Sequence, residues 1–220
     1  MLGTEGAFKL PQTFDVERLQ DDLTIAERHE FARHPLSYHD GSWQVINLIY
    51  AGGATHYKHE GAFGMGDAPP ANTTVLDECP YFQSVLGQLP GEIMMARLSS
   101  LPAGGRILRH YDPIESIDFG NLRLHIPIRT SPGVVFHLAY RRRRWAAGQV
   151  WYGDFTFPHS VWNRSDINRV HLIVDLKAND ELKRMFPPGY LTDAATRRRA
   201  RLRRWYKDIS WYHGKLEALF

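Results

Sequence analysis

EIMMARLS (92–99) and RVHLIVDL (169–176) open and close a part of the chain built from short apolar runs. Each run is rich in Val, Ile, Leu or aromatic residues, a composition typical of β-strands. Turn signals such as PAGG (102–105) and SPG (131–133) separate the runs, of which the others are GRILRHYD (105–112), LRLHIPI (122–128), GVVFHLAY (133–140) and QVWYGDF (149–155). Many short strands without helices between them predict an antiparallel sandwich or barrel, with a jelly roll among the leading forms.

Helical spacing is found on both sides of this core. FDVERLQDDLTIAERHEF (14–31) has a weak helical pattern. WQVINLIY (43–50) reads as a further strand, and the Gly- and Pro-rich segment 51–74 as a long loop, mobile or acting as a lid. After a candidate N-cap at Thr192, apolar residues recur every three or four positions, at Leu202, Trp205, Tyr206, Ile209, Tyr212, Leu216 and Leu219. This spacing predicts a C-terminal helix whose arginines lie on the solvated face.

Length and composition favour an ordinary globular chain. The chain has 220 residues, 43% hydrophobic and 23% charged, which excludes disorder, a collagen repeat or a coiled coil for the whole. We expect one domain over residues 1–220, with the jelly-roll core at about 92–176 and a helical segment at about 178–220. No apolar run is long enough for a membrane span and the start lacks a signal pattern, so we expect no membrane association and a cytoplasmic location. The single cysteine, Cys79, is compatible with that compartment.

Positive charge is concentrated in two arginine runs. Residues 141–144 and 197–204 hold ten of the 27 basic residues, and without them the chain is acidic. A nucleic-acid binder more often spreads Lys and Arg over one face, so we do not expect a nucleic-acid partner. The simplest interpretation is an exposed hairpin tip at 141–144 and the outer face of a helix at 197–204. Recruitment of an acidic carrier protein or of nucleic acid stays open as the alternative.

His110 and Asp112 are the first candidate site residues. In an extended chain, side chains two residues apart project to the same side, so an imidazole and a carboxylate can converge on one cation. His159 follows a strand-like run, and Arg169 opens the apolar run RVHLIVDL. A buried arginine is costly unless it meets an anion. Two histidines and one carboxylate form the facial set of non-haem Fe(II) oxygenases, and the arginine suits a dicarboxylate co-substrate.

Several motifs in the same order resemble the aspartyl/asparaginyl β-hydroxylases of the Fe(II)/2-oxoglutarate dioxygenase superfamily. They are RLSSLPAGGRILRHYDP, NLRLHIPI, GQVWYGDFTFPHSVWNRSD and NRVHLIVDL, within about residues 96–176. The resemblance implies that His110 and His159 bind Fe(II). It also implies that Arg169, helped by Ser99, binds the far carboxylate of 2-oxoglutarate, with Arg123 and His125 near its keto-acid end.

Asp112 distinguishes this chain within the resemblance. The animal aspartyl/asparaginyl hydroxylases have glycine there, whereas related bacterial amino-acid hydroxylases have His-x-Asp. The chain is similar to that bacterial branch. Because Asp112 fills the carboxylate position, no site is vacated for a halide, so hydroxylation is favoured over halogenation.

The resemblance therefore implies a mainly β, cupin-like double-stranded β-helix (jelly roll) with flanking helices. It also implies a hydroxylase that uses Fe(II), O2 and 2-oxoglutarate and releases succinate and CO2. Its substrate would be an amino acid that is free, carrier-borne or within a peptide. A homo-oligomer stays open, because the aromatic-rich C-terminal helix suits a dimer as well as its own barrel. The competing hypotheses are a non-catalytic cupin-like module docking through its arginines, and a metal-dependent isomerase or a dioxygenase without 2-oxoglutarate.

Other residues have simpler interpretations. Arg123 and His125 share a face of their run, where a core histidine is as common as a site histidine. His171 should share the face of Arg169, and Ser100 is a rival to Ser99. His56, His59 and Glu60, in HYKHE, are expected to be solvated loop residues, with a substrate-contacting lid as the alternative. Core or pocket-wall positions are expected for Trp43, Trp151 and Trp162.

Overall fold

The computed structural model describes residues 6–57 and 68–203. The strands in these ranges are β1 (Ala7–Thr13), β2 (Ala32–Arg33), β3 (Gln44–Ala51), β4 (Pro70–Asn72), β5 (Ile93–Leu101), β6 (Arg106–His110), β7 (Asn121–Arg129), β8 (Val134–Leu138), β9 (Arg141–Arg143), β10 (Gln149–Gly153), β11 (His159–Asn163) and β12 (Arg169–Lys177). The α-helices are α1 (Val16–Ala26), α2 (Thr74–Asp77), α3 (Pro80–Gly87) and α4 (Asp180–Arg184), with 3-10 turns at Ile117–Phe119 and Leu191–Asp193. Residues 194–203 are also helical and are called the C-terminal helix here.

The strands form two antiparallel sheets. The larger has the order β1-β10-β7-β12-β5-β3-β2, with β4 paired to β3, and the smaller has the order β6-β11-β8-β9. Side chains from both sheets share one apolar cluster, which includes Val45, Leu101, Ile107, Phe136 and Val161. The sheets therefore pack face to face, and the antiparallel sandwich that the short apolar runs predict is confirmed.

Alternation along β12 separates two environments. Val170, Leu172, Val174 and Leu176 pack in the cluster that also contains Leu19 and Leu23 of α1 and Phe82 of α3. Because successive side chains point to opposite faces, the intervening residues of β12 face the smaller sheet. These are Arg169, His171, Ile173 and Asp175, and all are buried. The sheet thus carries an apolar outer face under helices and an inner face on which β12 buries polar and charged side chains beside the apolar cluster.

Helix α1 follows the sequence pattern. It begins after Asp15, whose carboxylate accepts from the Arg18 amide at 3.1 Å, and Leu19 and Leu23 lie one turn apart on its buried face. Asp22 is also buried and accepts from the Phe82 amide at 2.7 Å, which joins α1 to the start of α3. Burying each such leucine contributes about 1.5–3 kcal/mol.

The segment 51–74 is only partly a loop. Residues 70–72 return as β4 beside β3, and α2 begins at Thr74 after the Thr73 N-cap. The His56 ring donates from Nε2 to the Glu30 carbonyl at 2.9 Å, as a loop contact would. His59 and Glu60 lie outside the described residues, so the lid interpretation stays a prediction.

The two arginine runs differ from their predicted positions. The hairpin tip lies at Ala139 and Tyr140, whose φ angles are 52° and 63°, and residues 141–143 form the returning strand β9. In the C-terminal helix, Arg198, Arg199 and Arg203 are exposed, whereas Arg197 is fully buried and Arg201 is largely covered.

The prediction of a wholly solvated arginine face is therefore wrong, because Asp118 and Asp154 bind Arg197 and Arg201 from the body of the fold. The predicted apolar face is also not borne out at Leu202, which is 53% exposed, and its members from Trp205 onward lie outside the described residues. Thr192 falls within the preceding 3-10 turn and is not the N-cap. Among the described residues, no helix has the length and apolarity needed to cross a membrane.

Candidate metal centre

His110, Asp112 and His159 converge between the two sheets. His110 ends β6, His159 begins β11, and these two residues are paired in the strand register. Asp112 lies just beyond β6, with its carboxylate 3.9 Å from His110 Nε2. One ligand atom from each of the three residues lies within 4.8 Å of the others. The antiparallel pairing thus brings together side chains that are far apart in sequence.

Both histidines are held in one tautomer by backbone carbonyls. His110 Nδ1 lies 2.7 Å from the Leu108 oxygen, and His159 Nδ1 lies 3.1 Å from the Phe157 oxygen. Since a carbonyl only accepts, each Nδ1 carries the proton and each Nε2 keeps a free lone pair. This is the arrangement found around metal-binding histidines.

The charge state of the three residues also suits a cation. Burial lowers the pKa of His159 to about 3 and lowers that of His110. Burial alone would raise the pKa of Asp112, but the neighbouring Arg123 guanidinium holds that pKa below its ordinary value. At neutral pH the group therefore consists of two neutral imidazoles and one carboxylate.

Arg123 belongs to a buried ion-pair network. It hydrogen-bonds Asp112 through Nη1 and forms a two-point contact with Asp175, at 2.6 Å from Nε and 2.9 Å from Nη2. Arg97 donates to the same Asp175 carboxylate at 2.9 Å, and Glu115 lies 3.3 Å from Arg123. In this structure Arg123 orients Asp112, a contact that the sequence does not reveal.

Replacing Asp175 with alanine should lower the free energy of unfolding by about 3–5 kcal/mol, because two buried guanidinium groups lose their shared carboxylate. Urea unfolding of the metal-free protein measures the change. Glu92→Ala is the matched control, since Glu92, just before β5, pairs at 2.6 Å with Lys177, the last residue of β12, in an exposed site. Its loss should cost less than about 1 kcal/mol. Equal losses of unfolding free energy in the two variants would contradict a large contribution of the buried ion-pair network to stability.

Arg169 is buried without a carboxylate partner among the described residues. Its side chain is 2% exposed, its Nε has no hydrogen-bond partner, and burial lowers its pKa to about 9. Its Nη2 donates to His171 Nδ1 at 2.8 Å. His171 Nδ1 must therefore accept, so the His125 Nδ1 that lies 3.2 Å away carries a proton. The guanidinium stays electrostatically uncompensated and suits an anionic ligand.

One cavity contains every site residue that the sequence singled out. Its lining includes the three converging residues together with Ser99, Arg123, His125 and Arg169. Ser99 Oγ accepts from Trp43 Nε1 at 2.8 Å, which leaves its own proton to donate. Ser100 is not among the lining residues, so Ser99 is the serine that reaches the cavity. Arg169 and His171 also border a wider cavity of about 410 Å³ beside Arg143, Arg144 and Trp145.

Sequence reasoning missed Arg97 and Phe155 in this lining. Arg97 lies two residues before Ser99 on β5, so the alternation of a strand was the signal that places both side chains on one face. Phe155 packs between the rings of His125 and His159, at centroid distances of 4.8 and 4.9 Å. Trp43 lines the cavity and the half-buried Trp151 packs against the apolar cluster between the sheets, as predicted for core or wall residues. Trp162 does not fit that prediction, because it lies outside the cavity and the core clusters, with the guanidinium groups of Arg106 and Arg164 3.8 and 3.5 Å from its ring centroid.

A buried histidine next to the cavity should make stability depend on pH. His34 stacks on Trp43 at 3.5 Å, and burial lowers its pKa to about 2 from an ordinary value near 6.5. Between these values the unfolded chain binds a proton that the folded chain does not, so acidification lowers stability. Relative to His34→Gln, the metal-free wild type should lose up to about 1.4 kcal/mol more per pH unit as the pH falls below 6. Urea unfolding at several pH values tests this, and parallel stability curves would contradict it.

Comparison with known proteins gives the family. A family model described as aspartyl/asparaginyl β-hydroxylase matches residues 14–179. L-proline cis-4-hydroxylase of Rhizobium meliloti (strain 1021) is 25% identical over 187 residues, which cover 81% of this chain and 61% of that relative. The chain thus spans less than two thirds of the length of the curated relative that it matches.

Solved structures share the fold at low identity. An oxidoreductase of the 2OG-Fe(II) oxygenase family from Burkholderia pseudomallei has a TM-score of 0.52 at 17% identity, over 79% of this chain and 86% of that one. A Pseudomonas putida prolyl-4-hydroxylase has a TM-score of 0.51 at 14% identity, over 81% and 95%. These likenesses confirm the predicted jelly-roll fold. Since the family model spans the chain from the approach to α1 to the residues just beyond β12, the chain belongs to the aspartyl/asparaginyl β-hydroxylase family.

Proposed function

We propose that this chain is an Fe(II)/2-oxoglutarate-dependent dioxygenase that hydroxylates a C–H bond of an amino acid. The observation that carries the proposal is one cavity holding both a set of metal-ligand side chains and a buried arginine without a carboxylate partner among the described residues. A metal site alone would fit many reactions. The buried arginine in the same cavity favours the reactions that also bind an anionic co-substrate.

The donor set fits Fe(II). His110 and His159 would each present Nε2, and Asp112 would present a carboxylate oxygen, which together make two imidazoles and one carboxylate. The unpartnered Nε of Arg169 and the free hydroxyl proton of Ser99 fit the far carboxylate of 2-oxoglutarate. When bound, iron and 2-oxoglutarate supply the oxidation, in which O2 converts the keto acid to succinate and CO2 and a substrate C–H bond gains a hydroxyl group.

The protein's own residues orient the metal ligands and line the cavity around them. Arg123 fixes the direction of the Asp112 carboxylate, and the Leu108 and Phe157 carbonyls fix the two imidazoles. Phe136, Phe155 and Val161 line the same cavity and give it apolar walls.

An amino acid is the proposed substrate class, whether free, borne on a carrier or within a peptide. The family and the likeness to an L-proline cis-4-hydroxylase support this choice. The docking alternative gains no support, because Arg197 and Arg201 are engaged in ion pairs within the fold.

The test is an incubation of the full chain with Fe(II), 2-oxoglutarate and single amino acids, beginning with L-proline. We expect succinate to form only with the correct substrate, in step with a product that is heavier by one oxygen atom. Carrier-borne and peptidic amino acids form the second panel. Absence of substrate-dependent succinate across both panels would contradict the proposal.

A further inference from the structure

Two arginines of the C-terminal helix dock into the body of the protein, a cluster that we name the arginine clamp (Arg197, Arg201, Asp118 and Asp154). Arg197 and Arg201 are one helical turn apart, so they project to the same side. Arg197 donates to Asp118 from Nε at 2.8 Å and from Nη2 at 2.5 Å. The proposed chemistry uses none of these residues.

Arg201 contacts two separate segments at once. Toward residues 116–118 its Nη1 donates to Asp118 at 2.8 Å and its Nη2 to Ser116 Oγ at 2.9 Å. Toward residues 154–156 its Nε donates to Thr156 Oγ1 at 2.7 Å and its Nη2 to Asp154 at 2.7 Å. One guanidinium therefore bridges the two segments.

These two segments adjoin the candidate metal ligands. Residues 116–118 follow Asp112, and residues 154–156 precede His159. The backbone links them too, since the Asp112 amide donates to the Phe155 carbonyl at 2.9 Å and the Phe155 amide to the Glu115 carbonyl at 3.1 Å. Any shift between the segments would move Asp112 relative to His159.

Electrostatics favours the bridge. Asp154 is fully buried, burial raises its pKa, and the nearby charge of Asp118 adds to the rise. The two carboxylates therefore repel each other, and Arg201 is the cation that pairs with both. Without it, the buried Asp154 would lose the guanidinium that ties its segment to Asp118, and the contact between the two segments would weaken.

We propose that Arg201 is a positioning residue for the candidate metal centre, which ties the segment after Asp112 to the segment before His159. The inference rests on the proposed function, because it presumes a metal ion at these residues. Partners that hydrogen-bond a metal ligand directly contribute about 10–100-fold to metal affinity. Arg201 acts through the two segments and contacts no ligand, so its contribution should be at the lower end of that range or below it.

The test is a Co(II) titration of the full chain, followed by visible absorption without 2-oxoglutarate. Arg201→Lys keeps the charge but loses the planar guanidinium that makes four hydrogen bonds. We therefore expect Co(II) binding to weaken by up to about tenfold and the absorption spectrum to change. Arg199→Lys makes the same change at an exposed position of the same helix and should bind as wild type does. Wild-type affinity and spectrum in Arg201→Lys would overturn the inference.

A measurement on the unaltered protein covers the case in which Arg201→Lys folds poorly. If the clamp strengthens metal binding, metal binding strengthens the clamp by the same factor. Co(II) should therefore slow amide hydrogen exchange in residues 194–203, and unchanged exchange would overturn the inference. The proposed function is tested separately by His159→Ala. If the wild type binds no Co(II), or if His159→Ala binds Co(II) as well as the wild type does, the proposed function fails and not only this inference.

Discussion

Replacing His159 with alanine is expected to reduce substrate-dependent succinate formation by at least about a hundredfold. Loss of a residue that only orients a metal ligand already lowers metal affinity or activity by about 10–100-fold, and loss of the ligand itself should cost more. His159 presents one of two imidazoles, and the Asp112 carboxylate is the only other donor in the set. Two remaining protein ligands would hold Fe(II) weakly and in the wrong geometry. The rate is measured as succinate formed with whichever amino acid supports turnover in the proposed substrate panels.

His137→Ala is the matched control. His137 pairs with Ser160 in the neighbouring strand, but its side chain is exposed and it is not among the cavity residues. We expect it to keep the wild-type rate. Full turnover by His159→Ala would refute the metal assignment, whereas equal loss in both variants would mean that damage to the strands, and not loss of a ligand, caused the effect.

Replacing Arg169 with leucine is expected to weaken 2-oxoglutarate binding by about 30-fold to several thousand-fold, the equivalent of the 2–5 kcal/mol typical of a truncated buried charge pair. Folding should not suffer in parallel. Arg169 has no carboxylate partner among the described residues, so leucine removes a buried charge and strands no opposite one. Co(II) affinity should also stay near the wild-type value, because Arg169 is not one of the converging ligands.

Arg129→Leu provides the comparison for this variant. Arg129 ends β7 beside Arg169's strand and pairs with Glu27 at 2.7 Å in a partly exposed site. Its loss should leave 2-oxoglutarate affinity unchanged. Calorimetric titration of the metal-loaded variants measures the 2-oxoglutarate affinity of each. An unaltered affinity in Arg169→Leu would show that Arg169 does not bind the co-substrate.

The strand core could be predicted because its signals are local. The six apolar runs between residues 92 and 176 are bounded by turn residues, and they coincide with β5, β6, β7, β8, β10 and β12. The alternation of side chains along a strand places Arg123 with His125 and Arg169 with His171. Applied once more, it would have identified Arg97 and Asp175 as inward-facing.

Other features depend on contacts that a linear pattern does not contain. Arg197 and Arg201 read as solvated because their carboxylates, Asp118 and Asp154, lie far away in the sequence. Helix α3 is short, and its amide contact with Asp22 comes from another helix. The two hydrogen bonds from Arg123 to Asp175 likewise form only because β7 and β12 are neighbours in the sheet.

The central claim is that this cavity binds Fe(II) and 2-oxoglutarate together, and an anaerobic titration tests it without knowledge of the substrate. A 2-keto acid that chelates Fe(II) produces a visible charge-transfer absorption. We predict that this absorption appears and saturates at one equivalent of 2-oxoglutarate in the iron-loaded wild type and is absent in His159→Ala. A folded wild-type protein that shows no such absorption, or a His159→Ala variant that shows it in full, would contradict the account.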